Sequence, residues 1–310
     1  MNYCSSSKQL NANHKKIIIQ LTGGLGNQMF QYATARALAL RSNSDLILDT
    51  WSGFVRDFQY KRNYELNSFD IFARYATPYE RMPFWFDRLR SRLLVQSGKV
   101  IEHHHYGDLL KEMKLEFLSE VAAFAVIRRT YMLGYWQSAA YFDDHRLTIM
   151  QELKPLQPKE DHFVELGKKM RSERSVALGI RLYEESNSPG LNSVNGRLKS
   201  AMDLNEAARR LAQLDAKLHF FIFCTHRASF LDLLSLPGEV TYVTPDDGFE
   251  GTCENLWLLT QCRHHIITNS SFYWWGAWLS NINYPSGDSE VFAADNFINK
   301  DTVLPKWNLF

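Results

Sequence analysis

The segment KKIIIQLTGGLGNQMFQYATARALALRSNSDLILDT, residues 15–50, constrains the fold more than any other part of the chain. Its opening apolar run, from about Lys15 to Leu21, is bounded by charges and glycines as a buried strand is. From Gln28 to Leu40 the residues Met29, Phe30, Ala33, Ala37, Leu38 and Leu40 recur at helical spacing. Asp45 to Asp49 then reads as a second strand. A strand, a helix and a strand within about 35 residues form a βαβ unit, so the sheet is parallel and ligands meet it at the carboxyl ends of its strands. The loop carrying Gly23, Gly24 and Gly26 sits at that end. A dinucleotide fingerprint starting at Gly24 and Gly26 would place its third glycine where Met29 stands, so a nicotinamide or flavin is disfavoured. What remains is a turn and a helix N-terminus suited to an anionic group such as phosphate.

With 310 residues, 45% hydrophobic and 22% charged, the chain is expected to form two soluble globular domains of about 150 residues, each with its own core. LKPLQPKEDH, with Pro155 and Pro158, marks the boundary, giving domains 1–154 and 155–310. A net charge of +1 offers no general attraction to nucleic acid. No run of about 18 apolar residues occurs, and MNYCSSSKQLNANHKK lacks the apolar core of a signal peptide, so a cytosolic location is expected. Cys4, Cys224, Cys253 and Cys262 lack paired spacing and read as free thiols. The adjacent His103, His104 and His105 cannot all converge on one ion, and no metal is expected.

The segment RMPFWFDRLRSRLLVQSG alternates aromatic and aliphatic residues with Arg81, Arg88, Arg90 and Arg92. Such a helix can lie on a membrane surface, but packing of its aromatic face into the domain is preferred. Beyond the prolines the strand and helix alternation resumes. SVALGIRLY (Ser175 to Tyr183), KLHFFIFCT and HHIITNS read as strands, while Asp203 to Leu214, ENLWLLTQC and the run beginning near Phe272 read as helices. Two α/β domains of this kind enclose a cleft lined by strand ends and helix N-termini.

Three motifs, GGLGNQMFQYA (Gly23 to Ala33), GYWQS (Gly134 to Ser138) and HHIITNSSFYWWGAWLS (His264 to Ser280), resemble in order and spacing those of the family 11 glycosyltransferases, typified by bacterial α-1,2-fucosyltransferases. The likeness runs from Ile17 to about Ser280. It implies a GT-B architecture, two Rossmann-like domains facing across a cleft. It also implies a GDP-activated 6-deoxy-L-sugar donor held by the second domain, no cofactor or required metal, and inversion when O2 of a galactosyl acceptor attacks. The partners so implied are the GDP-sugar and a galactose-containing oligosaccharide of a bacterial surface glycan, free or lipid-linked, with at most peripheral membrane contact at the inner face of the cytoplasmic membrane.

The family's segment His-x-Arg-Arg-x-Asp corresponds here to Gly179-Ile180-Arg181-Leu182-Tyr183-Glu184. The resemblance assigns Arg181 to the donor diphosphate, for which a guanidinium fork is suited, and leaves Glu184 as candidate base. Where relatives read guanine with Ser-Asp-Asp, this chain has Cys224, Thr225 and His226, so guanine recognition falls to His226 or backbone groups. Gly24 and Gly26 allow close backbone approach to the donor, and Asn27 supplies an amide to donor or acceptor; Gln28 does the same or braces the loop. Asn269, Ser270 and Ser271 either bind phosphate or only cap the following helix. Glu254 and Asn255 hold the donor's sugar or ribose, or simply start a helix. Trp274, Trp275 and Trp278 are expected in the core, packing their helix on its sheet. The donor sugar is fucose or, given the loss of polar groups at Gly179 and Leu182, colitose. A silent sugar-nucleotide or glycan-binding protein is the third alternative.

Overall fold

The computed structural model describes residues 15–55, 57–58, 60–81, 100–104, 107–182, 198–285 and 287–310. Two six-stranded sheets organise them. The first has the order β3-β2-β1-β6-β5-β4, built from β1 (Lys16–Gln20), β2 (Asp45–Asp49), β3 (Arg74–Tyr75), β4 (Ile101–His104), β5 (Gly107–Lys111) and β6 (Arg129–Leu133). Only the β4–β5 pair is antiparallel. The second has the order β12-β11-β10-β7-β8-β9 and is parallel throughout, from β7 (Arg174–Gly179), β8 (Leu218–Phe223), β9 (Glu239–Val243), β10 (His264–Ile267), β11 (Val291–Ala293) and β12 (Asn308–Leu309). This is the GT-B architecture.

Both faces of each sheet are covered, which is why its strands read as unbroken apolar runs. In β1, Ile17 and Ile19 face one core while Ile18 faces another. The helix after the glycine loop, α1 (Leu25–Ser42), starts three residues earlier than its apolar spacing suggests and ends on Asn43 in the left-handed conformation. After β6 the chain forms α2 (Arg146–Glu152), whose Glu152 accepts from the Tyr32 hydroxyl and from Nε and Nη2 of Arg36 on α1. The stretch with Pro155 and Pro158 then leads to α3 (Asp161–Ser172), which packs on the second sheet's side. α4 (Ala201–Leu214) begins with a reciprocal capping box between Ser200 and Asp203 and lays Leu204, Ala207, Ala208 and Leu211 on the second sheet.

The second half has a cluster of its own, with Val176, Leu178, Leu211, Phe220 and Phe292, and the two sheets share another. One continuous apolar cluster runs from Ile17 and Ile19 through α1 to Phe221 and Ile267 of the second sheet. The join is aromatic: in α6 (Ser271–Leu279), Trp274 and Trp275 lie 4.5 and 4.9 Å, ring centre to ring centre, from Phe30 of α1. Trp275 also stacks on Phe142. These tryptophans are buried, as expected, but against α1 and its neighbours as well as their own sheet. The tail crosses back too, since Thr302 donates to the Gln137 carbonyl before β12 joins the second sheet.

The arginine-rich amphipathic segment falls mainly on 82–99 and lies outside the described residues. Of the histidine triplet, His103 bonds Asp108. Among the described residues no group of three or more His, Cys, Asp or Glu side chains could hold a metal ion. Also among them, Cys224, Cys253 and Cys262 form no disulfide, and no helix is long and apolar enough to cross a membrane.

Candidate active site

In the second sheet β7 lies between β8 and β10, so chain direction across the sheet reverses at β7, the place where open parallel sheets bind ligands beyond the strands' carboxyl ends. Arg181 stands at that end. Its amide donates to Thr268 Oγ1 at 2.8 Å, and the same hydroxyl donates to the Gly179 carbonyl at 3.0 Å. The backbone beneath the guanidinium is thus tied to the end of β10.

Tyr273 of α6 closes the other side. Its hydroxyl donates to the carbonyls of Ile180 and Phe223, and its ring lies so close to Gly179 that a Cβ there would fall 2.4 Å from a ring carbon. The glycine at this position of the motif therefore has a packing reason. Tyr273 fills the space that a side chain at residue 179 would need.

The three sequence motifs meet at one oxygen. Asn27 Oδ1 accepts from Gln137 Nε2 and from Ser271 Oγ, each at 2.8 Å. Residues from the first sheet's loop, from the turn after β6 and from the start of α6 share this node. Contact is tight because a Cβ on Gly26 would lie 2.6 Å from the Phe272 nitrogen, and Trp275 Nε1 donates to the Gly26 carbonyl. The N-termini of α1 and α6 consequently face each other, each presenting backbone N–H groups and the positive end of a helix dipole.

Around this node lies a cavity of about 960 Å³ walled by both halves of the chain. Gly24, Gly26, Asn27, Arg181, Asn255, Asn269, Ser270 and Ser271 line it. Three other expected residues do not. Gln28 is fully buried; its amide nitrogen donates to the carbonyls of Gly23 and Asn63 and its oxygen accepts from Glu65 N, so it braces the loop instead of facing the cavity. Glu254 lies outside the lining, one residue before Asn255, whose amide ties the start of α5 (Thr252–Gln261) to the carbonyls of Phe249 and Gly251. His226 stands beside Thr225, which does line the cavity, with its Nδ1 3.3 Å from the threonine hydroxyl. Glu184 lies outside the described residues. Ser270 accepts from Tyr273 N as a helix cap, and Asn269 donates to the Asn296 carbonyl.

Several lining residues escaped the sequence reading. Gln137 belongs to a motif that is short and ordinary by itself. Asp57, Arg62 and Glu65 come from a loop without periodicity, where only contact across the cavity reveals them. Burial raises the Glu65 carboxyl above its usual range, against the opposing pull of Arg62 and the Leu25 N–H at the start of α1. Asp57 differs: its two oxygens accept the Tyr60 and Arg62 amides, which fixes it as part of the loop. The cavity thus offers a guanidinium and a helix N-terminus on one wall and a carboxyl with raised proton affinity on the other. Such a pair can stabilise a leaving anion and accept a proton.

The description "Glycosyl transferase family 11" matches residues 237–309. An α-1,2-colitosyltransferase of Escherichia coli is 26% identical over 301 residues, covering 94% of this chain and 97% of its own. By sequence, residues 237–309 resemble the family 11 glycosyltransferases. The O-antigen biosynthesis glycosyltransferase WbnK of E. coli is 29% identical over 84% of this chain and 89% of its own. Among solved structures, the α-1,6-fucosyltransferase NodZ co-crystallised with GDP superposes with a TM-score of 0.50 at 14% identity, covering 85% of this chain and 92% of NodZ. That likeness concerns the fold, two facing sheets with the cavity between them. The matched residues 237–309 include α5, β10 and α6, the second-half elements that carry Asn255, Asn269, Ser270 and Ser271.

Proposed function

We propose that the protein is an inverting glycosyltransferase that moves a 6-deoxy-L-hexose from a GDP-sugar to O2 of a galactosyl residue in a bacterial surface glycan. The observation that carries this reading is the meeting of Asn27, Gln137 and Ser271 at one node beside Arg181. Arg181 and the N-terminal amides of α6 receive the diphosphate, and Phe223, Val243 and Pro245 offer apolar surface to the base. As the donor's C1–O bond to phosphate breaks, its electron pair leaves on GDP. The acceptor oxygen forms the new bond to C1 from the opposite face, and its proton passes to a carboxylate, for which Glu65 is the candidate among the described residues.

Fucose is the first reading of the donor sugar. Colitose, fucose without its 3-hydroxyl, is supported by the 26% identity to a colitosyltransferase. The loss of a histidine at Gly179 no longer supports it, since Tyr273 occupies that volume. Purified protein incubated with GDP-L-fucose or GDP-L-colitose and a galactose-terminated acceptor, with products read by mass spectrometry, tests both. Failure to transfer or hydrolyse either donor would leave the silent binding protein as the reading.

A further inference from the structure

We propose that the aromatic side chains Trp51, Phe54, Phe58 and Tyr60, beyond β2, are a platform for the acceptor glycan beyond the galactose that reacts, an oligosaccharide whose ring faces rest on them. This rests on the glycosyl-transfer reading above and extends it to the acceptor. A second cavity of about 430 Å³ opens here, a volume within the range of about 300–1,000 Å³ that small ligands fill. Trp51, Phe54 and Phe58 supply apolar walls, while Lys61 and Asn63 add polar groups. Asp57 and Arg62 line both this cavity and the central one, so the two are neighbours.

Exposure of the rings is the second observation. Trp51 is 51% exposed, Phe58 82% and Tyr60 43%, three large aromatics within ten residues. Grouped exposure of this kind marks a binding surface, whereas single exposed apolar residues need no explanation. The loop is also held in shape. Asp49 accepts the amides of Trp51 and Ser52, Asp57 accepts those of Tyr60 and Arg62, and the Arg81 guanidinium lies 5.3 Å from the centre of the Trp51 ring.

A pyranose presents C–H bonds on its faces and hydroxyls around its rim. Aromatic surface interleaved with amide, guanidinium and ammonium groups meets both requirements. A membrane surface would use the same residue types, but it calls for a face that projects, and here Trp51, Phe54 and Phe58 line a hollow that shares Asp57 and Arg62 with the central cavity.

The test is acceptor-length dependence in the full chain. Lactose and a galactose-terminated tetrasaccharide are compared as acceptors for wild type, Trp51→Ala and Phe58→Ala. Wild type is expected to show the lower KM for the tetrasaccharide, and each variant to raise that KM about tenfold while lactose transfer stays within about twofold. Equal effects on both acceptors, or none on either, would overturn the platform. Phe58 is so exposed that its replacement leaves the fold intact, which thermal melting checks. If neither acceptor is used, titration with the tetrasaccharide followed by tryptophan fluorescence separates the two readings. Saturable binding weakened in Phe58→Ala supports the platform even as transfer fails, and no binding removes it. Cosedimentation with phosphatidylglycerol vesicles that both variants abolish would overturn it in favour of a lipid surface.

Discussion

Gly179 and Tyr273 share one volume at the carboxyl end of β7. Restoring a histidine with Gly179→His, or adding only a methyl with Gly179→Ala, forces the Tyr273 ring away and with it the hydroxyl that holds the Ile180 and Phe223 carbonyls. Overpacking of this kind costs about 1–3 kcal/mol, so the melting temperature should fall in both variants. Combining Gly179→His with Tyr273→Ala should recover part of the loss, and equal melting of Gly179→Ala and wild type would show that the ring moves freely. Arg181 is a different case, because in the proposed reaction its contribution would grow as the leaving diphosphate gains charge. Arg181→Ala should lower transfer by about 100-fold with Lys rescuing only in part; near-wild-type turnover in the folded variant would remove Arg181 from the reaction. For Glu65 the sign follows from burial. A base must be ionised, and its pKa is raised, so kcat/KM should decline on acidification at a pH above the ordinary carboxylate range. Glu65→Gln should lower the rate and erase that limb; an unchanged pH profile would assign the proton to another group.

Elements matter through the touching starts of α1 and α6. A helix pair that meets at Gly26 leaves no room for a side chain, since the nearest atoms are the backbone of Ser271 and Phe272, which cannot swing aside. Gly26→Ala is therefore expected to part the two N-termini, stretch the Asn27 to Ser271 bond and lower both melting temperature and transfer. Ser271→Ala removes one of two donors to Asn27 Oδ1 and leaves Gln137 in place. It should reduce transfer with little change in melting, which distinguishes the node's role in positioning from its role in packing. A Ser271→Ala protein as active as wild type would reduce the node to a structural contact.

At the scale of the molecule, the shared aromatic core couples the two sheets. Because Trp274 and Trp275 lose their partners when α1 leaves, calorimetry should record one unfolding transition, and two resolved transitions would contradict the shared core. Acid should weaken this unit. His265 is fully buried on β10, and desolvation pushes its pKa down to about 3 from an ordinary 6.5. The unfolded chain takes up a proton below about pH 6.5 and the folded chain does not until near 3, so stability is full above that window and falls as pH drops through it. Thermal melts across pH should show this decline, with a shallower slope in His265→Gln.

The alternation of apolar runs with helical spacing made both sheets legible in the chain itself, because strand burial and helix packing impose periods of 2 and 3.6 on any sequence that adopts them. Glycines next to Asn27 announced a tight turn into a helix for the same local reason. Other features depended on distance across the fold. Asn27, Gln137 and Ser271 stand 110 and 244 residues apart from first to second and first to third, and no local pattern says that they share an oxygen. Gln28 and Asn27 are adjacent and chemically alike, yet one turns inward to brace a loop and the other outward to the cavity. That choice is made by helix geometry, which points neighbouring residues about 100° apart. Gly179 looked like a lost polar group until Tyr273, nearly a hundred residues on, was seen to fill its place. Periodicity along the chain determines elements; which side chains share a volume is decided only when the elements pack.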